Sequence, residues 1–317
     1  MHVDELGPPD DAAVVVLVHG VGFGPDTFDG VARHLVARSL QVRLVTRPGY
    51  AAGAPPAATP PSTLPSFQEQ VSMLASVVTD AAAHAPHGRP VTLAGCSGGA
   101  TLALAAVLAL RPTAGVAAAV LHEPLVGPAA PTLHAAITAN AARLARPTPR
   151  SGSALASGTA RVPHRNGGDV PPPRSGSEPA SFAARVPHRN GGGGGADVGV
   201  ADFLEGMVGA DSWRVLPPEV RRDVLVHAPV VRAEVPGFVA FAPTDLEAAT
   251  STTRIVTTVG RTSGPARQEV AGVLAAAGAE VVPIDGAGHL VQLEQPKAWA
   301  DVVAGVALGD VAEGLPS

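Results

Sequence analysis

Six short runs of β-branched and other apolar residues, at 14–18, 42–46, 91–95, 116–121, 254–259 and 280–284, recur along this chain between stretches of helical spacing. Runs of this length and composition read as strands, and those apolar at every position as strands buried on both faces. Between two of them, "SFQEQVSMLASVVTDAAAH" sets Phe67, Val71, Leu74, Val78 and Ala81 on one helical face, behind Ser66 and Glu69 at capping-box spacing. Strands that alternate with helices imply an α/β fold, a mostly parallel, doubly wound sheet, because each parallel crossover must carry the chain back over a sheet face.

The alternation breaks after the fourth run and resumes at Arg254. The chain therefore divides into a first core segment, 1–124, an inserted and mainly helical cap, 125–253, and a second core segment, 254–317. Within the cap, 147–200 is rich in Gly, Pro, Ser and Arg, and "PRSGSALASGTARVPHRNGG" (149–168) returns as "PRSGSEPASFAARVPHRNGG" (173–192). Two copies with no apolar periodicity are too few to stack as a solenoid, so the duplication reads as a flexible insertion. His164 and His188 recur as copies of one another, without a second ligand at metal-binding spacing. Helical character returns in "VADFLEGMVGADSW", where Phe203, Leu204, Met207, Val208 and Trp213 form the apolar side.

Composition narrows the class. With 46% hydrophobic and 15% charged residues over 317 positions, the chain can build a large core. A net charge of −5 and no long basic run argue against a nucleic-acid partner. The first apolar run is too short for a bilayer and lacks a basic flank, so neither a signal peptide nor a membrane anchor is expected. A single cysteine, Cys96, excludes an internal disulfide and fits a cytoplasmic location. Oligomeric state leaves no trace in the pattern.

The chemistry concentrates at "AGCSGGA", residues 94–100. Gly95-Cys96-Ser97-Gly98-Gly99 fits G-x-S-x-G, placed directly after an expected strand and before an expected helix, which is the context the motif requires. Such a turn holds the serine in a strained conformation and crowds its neighbours, hence the glycines. The Gly98 N–H at the start of the helix faces a developing oxyanion. Cys96, at the x position, is read as packing. Apart from this motif the sequence shows no metal cluster, phosphate loop or nucleotide fingerprint, since "GGGGG" at 191–195 follows no strand.

Two further segments, "LVHGVGFGPDTF" after the first strand and "IDGAGHLVQLEQP" after the last, complete an order that resembles the α/β-hydrolase family. "RPGYAAG" at 47–53 looks like the next turn of that family. The resemblance covers most of the chain outside 147–200. It implies Ser97 as nucleophile, His289 as general base, and the N–H groups of Val21 and Gly98 as the oxyanion hole, with His19 a structural loop residue. The acid is less direct. Much of the family carries it in a G-x-x-D turn, where this chain reads Gly260-Arg261-Thr262-Ser263. A variant of the fold takes it from the end of the strand after the elbow helix, which here implies Glu123, with Asp245 and Asp285 as rivals. His122 beside it alternates to the other face of the strand and is not expected to be catalytic.

The implied activity is metal-free and cofactor-free hydrolysis of a small ester, lactone or thioester through an acyl-serine intermediate, on a hydrophobic acyl substrate if the cap's apolar residues face it. The same three residues also serve carbon–carbon bond hydrolysis and perhydrolysis in related enzymes, and a ligand-binding member with negligible turnover is the non-enzymatic alternative.

Overall fold

The computed structural model describes residues 1–8, 12–50, 64–85, 91–110, 115–145 and 197–309. The duplicated stretch, with His164 and His188, and the glycine run at 191–195 lie outside the described residues. The strands are β1 (His2–Leu6), β2 (Val14–Val18), β3 (Gln41–Thr46), β4 (Val91–Cys96), β5 (Val116–His122), β6 (Arg254–Gly260) and β7 (Glu280–Ile284). The α-helices among the described residues are α1 (Asp29–Val36), α2 (Phe67–His84), α3 (Gly98–Ala109), α4 (Pro131–Ala141), α5 (Val198–Val208), α6 (Ala210–Val215), α7 (Pro218–Val226), α8 (Ala228–Ala240), α9 (Leu246–Thr252), α10 (Pro265–Ala276), α11 (Val291–Glu294) and α12 (Pro296–Leu308).

The sheet runs β1-β3-β2-β4-β5-β6-β7, with β2 through β7 parallel and β1 antiparallel to β3. The expected α/β architecture is thus present, with one added strand. β1 escaped the periodicity because "HVDEL" is mostly exposed at the sheet edge and carries charges, as edge strands that avoid mispairing do.

Strand alternation divides the core in two. Val14, Val16 and Val18 point into a cluster with α2, α3 and α10, while Val15 and Leu17 point into a second with α1 and α12. Both faces are covered, which is why β2 is buried at every position. A capping box opens α2: the Glu69 N–H donates to Ser66 Oγ and the Ser66 N–H donates to Glu69 Oε2 at 2.8 Å. A third apolar cluster joins α5, α6, α7 and α8 to Phe23 and Leu290, whereas α9 packs back on the main core through Ala249.

One buried ion pair ties the helical insertion to the sheet. Arg47, in the loop after β3, pairs with Glu234 of α8, and Tyr50 Oη donates to the same carboxylate. Arg47 Nη1 also donates to the carbonyls of His19 and Gly20, the loop that borders the elbow. Among the described residues, no helix is long and apolar enough to cross a membrane.

Candidate active site

Because β2, β4, β5, β6 and β7 are parallel, their carboxyl ends share one edge, the usual ligand side of such sheets. Ser97 stands at the end of β4 with φ 52° and ψ −122°, a left-handed region that an L-residue occupies only under constraint. The constraint is visible: Ser97 N–H donates to His122 O at 2.8 Å, and Ser97 O accepts from Thr101 N–H at 2.9 Å. A Cβ on Gly99 would lie 2.1 Å from Val18 O, and one on Gly95 would lie 2.7 Å from the Gly99 carbonyl carbon. Only glycine lets α3 approach β2 and β4 this closely, so the motif's two outer glycines are steric requirements.

His289, in the loop after β7, reaches across with Nε2 2.9 Å from Ser97 Oγ and Nδ1 2.7 Å from Glu123 Oε2. A carboxylate accepts only, so Nδ1 carries the proton and Nε2 presents its lone pair toward the serine. Glu123 follows β5 with φ 47°, a left-handed turn that ends the strand's alternation. Its Oε1 accepts the Gly260 N–H at 3.0 Å and the Ser263 hydroxyl. Ser263, in the turn where the resemblance leads one to expect an acid, therefore supports the Glu123 carboxylate of the neighbouring strand.

Glu123 and His289 are buried and Ser97 is half-buried, and burial acts on the two ionisable groups. Burial favours the neutral Glu123 carboxyl, but the hydrogen bond from His289 and the nearby His122, His289 and Arg267 outweigh it and hold the pKa well below the usual carboxylate range. Burial and the Arg267 guanidinium lower the His289 pKa, against the raising effect of Glu123. His289 is thus a neutral acceptor beside an ionised Glu123. Burial, then Glu123, push the Cys96 thiol up, so the cysteine beside the serine stays protonated.

The rival acids lie elsewhere. Asp285 is exposed and paired with Arg261, and exposed Asp245 stands at the start of α9. His19 is buried, with Nε2 accepting the Arg47 N–H at 3.1 Å, and shapes the loop that carries Val21. A Cβ on Gly98 would stand 3.2 Å from the Val21 nitrogen, so the backbones of these two residues lie close together beside Ser97.

Two partners were not foreseen. His122 does project from the other face of β5, yet its ring lies 3.7 Å from Glu123 Oε1 because the backbone turns back at Glu123. The ring takes part in a buried chain in which Trp299 Nε1–H donates to Thr258 Oγ1, Thr258 to His122 Nδ1, and His122 Nε2–H to the Gly288 carbonyl beside His289. His122 thus keeps the alternation of β5, on the Val120 and Trp299 face of the sheet; the left-handed turn at Glu123 is what the sequence did not announce. Arg267 of α10 is the other: its Nη2 lies 3.3 Å from His289 Nε2 and donates to Met207 O of α5 at 3.1 Å. An arginine in "PARQEV" reads as a solvated helix face, so the sequence carried no signal for it.

Above Ser97 opens a pocket of about 550 Å³ including its mouth, walled by Val21, Leu125, Phe203, Leu204, Val235 and Phe238 among others. Almost all of its lining is apolar, drawn from both the sheet edge and the helical insertion. No cluster of three metal-ligating side chains occurs among the described residues.

The sequence model of the alpha/beta hydrolase family matches residues 15–302. Solved structures of similar fold include a thermophilic esterase from Thermogutta terrifontis (16% identity, TM-score 0.62, covering 97% of this chain and 93% of that one). An enol-lactonase from Burkholderia xenovorans has 14% identity and TM-score 0.57, covering 98% and 96%. The thioesterase domain from the curacin biosynthetic pathway has 15% identity and TM-score 0.52, covering 95% and 93%. No curated protein sequence matches significantly.

Proposed function

The chain belongs to the α/β-hydrolase family, and on that premise we propose that Ser97, His289 and Glu123 act as nucleophile, base and acid in hydrolysis of a small apolar ester, lactone or thioester. The observation that carries this reading is the 2.9 Å contact between Ser97 Oγ and His289 Nε2, backed by the 2.7 Å contact from Nδ1 to Glu123. Esterase, enol-lactonase and thioesterase neighbours of the fold support that range of substrates.

Ser97 Oγ attacks the carbonyl carbon as His289 Nε2 takes its proton, and charge collects on the carbonyl oxygen. The Val21 and Gly98 N–H groups receive that oxygen in a site from which water is largely excluded. Glu123 stabilises the imidazolium, which then protonates the departing alcohol, thiol or ring oxygen. Water, deprotonated by the same His289, releases the acid and restores Ser97. Residues 125–253 serve as the cap that supplies the apolar wall.

The test is labelling with a fluorophosphonate probe together with a p-nitrophenyl ester series of rising acyl length. Ser97→Ala should lose both labelling and turnover while keeping its fold; near-normal turnover would remove the acyl-serine mechanism. Labelling of the intact protein without turnover of any ester would favour the ligand-binding reading instead.

A further inference from the structure

We infer that Gln292 is a specificity residue, which selects a substrate that is apolar except for one hydrogen-bond donor, a hydroxyl on its acyl chain. The inference rests on the pocket at Ser97 being the substrate site.

Gln292 lies in α11, three residues after His289, and is 3% exposed. It lines the pocket, yet its Oε1 has no partner among the described residues. The other residues of this helical turn have evident roles. Val291 packs in the core with Trp299, Leu290 in the cluster beneath α5 and α8, and Glu294 accepts the Gly288 N–H and the Ser212 hydroxyl. Among the described residues, Gln292 is the one carboxamide residue lining a pocket walled by Val21, Phe203, Leu204, Val235 and Phe238, where a small turn of its side chain would present the enclosed Oε1.

A buried carbonyl without a donor is destabilising, and the surrounding apolar wall offers none. A plain alkyl chain in the pocket leaves that loss in place. A chain with a hydroxyl removes it, because O–H donates to Oε1, and the carboxamide N–H₂ can donate to the same oxygen if the amide is turned over. Sites built around such a group discriminate against the analogue that lacks the donor more strongly than apolar walls discriminate by size.

The test measures binding and turnover separately. Full-length Ser97→Ala protein, which holds esters without cleaving them, is titrated with ethyl butanoate, ethyl 2-hydroxybutanoate and ethyl 3-hydroxybutanoate, with Gln292 intact and as Gln292→Met. One hydroxy ester should bind about ten-fold more tightly than butanoate with Gln292, and the preference should vanish in Gln292→Met. Equal binding of all three with Gln292 intact would show that Oε1 is satisfied by water and overturn the inference; that comparison needs no variant at position 292. A preference that survives Gln292→Met would overturn it equally. Hydrolysis of the same esters by the Ser97 protein is read independently: turnover without hydroxyl preference defeats the Gln292 inference alone, and Gln292-dependent binding without turnover defeats the serine-hydrolase reading alone.

Discussion

The Ser263 hydroxyl donates to Glu123 Oε1, joining the turn after β6 to the end of β5. On the sequence, Ser263 reads as a missing acid. In the fold it is one of two donors, with the Gly260 N–H, that orient a carboxylate supplied by the neighbouring strand and leave Oε2 aimed at His289.

Removing that charge is the first prediction. Glu123→Gln keeps the shape but cannot stabilise protonated His289, so ester turnover should fall by up to about 10⁴-fold, the scale seen when a triad acid is neutralised. Ser263→Ala should cost about ten-fold, because it removes one orienting hydrogen bond and no charge. Asp245→Asn, at an exposed position, should be silent. A kcat/KM ranking with Asp245→Asn below Glu123→Gln would move the acid away from Glu123.

Arg267 sets the second. Its guanidinium stands against His289 Nε2, and burial together with Arg267 lowers that imidazole's pKa. Other charged or titratable groups near His289 among the described residues are Glu123 and His122 at the end of β5, and Glu294 of α11, whose carboxylate accepts the Gly288 N–H. The base works when neutral, so the acid limb of the kcat/KM profile should lie below the ordinary histidine value of about 6.5. Arg267→Met should move the limb to higher pH. An unmoved limb with a lowered rate would reduce Arg267 to a packing residue that ties α10 to Met207.

How much of this was legible depends on how local each signal is. The five interior strands, β2 to β6, were visible because both their faces are largely buried, the mostly exposed edge strand β7 by its apolar run, and the elbow because sterics demand Gly95 and Gly99 around Ser97. The Ser66 cap was visible because a capping box spans four residues. β1 was hidden by its exposure, and Arg267 and the His122 chain by distance: Trp299, Thr258 and Gly288 meet only through the sheet register. Glu123 could be named from resemblance, whereas its orientation rests on a left-handed turn that composition does not announce.

The Arg47–Glu234 pair yields a third prediction. Both side chains are almost fully buried, and Arg47 Nη1 also reaches the His19 and Gly20 carbonyls. Glu234→Ala strands a buried guanidinium and opens a gap between α8 and the loop after β3, so stability should fall by about 3–5 kcal/mol. Replacing both residues with Met should recover much of it, because no charge is then left alone. Thermal melts of the single and double variants decide: a single variant as stable as the parent would mean that the pair is solvated.

Acid sensitivity is the last. Burial outweighs the neighbouring Glu123 and lowers the His122 pKa to about 4, and its Nδ1 must stay unprotonated to accept from Thr258. Unfolded, the same imidazole titrates near 6.5. Above that pH neither state is protonated and the chain's stability is complete. Between about 6.5 and 4 only the unfolded state binds the proton, so stability falls by about 1.4 kcal/mol per pH unit for this group. Below about 4 both states are protonated and the loss levels off. His19 and His289 are buried, His227 is half-buried, and all three are shifted in the same direction by burial, so their losses add to it. The melting temperature should therefore drop steeply from pH 6.5 to 4.5, and His122→Asn, which carries no titrating ring, should show a shallower drop from a lower starting point. A melting temperature constant across that window would mean that water reaches these rings and that the Trp299–Thr258–His122 chain does not hold the His289 loop.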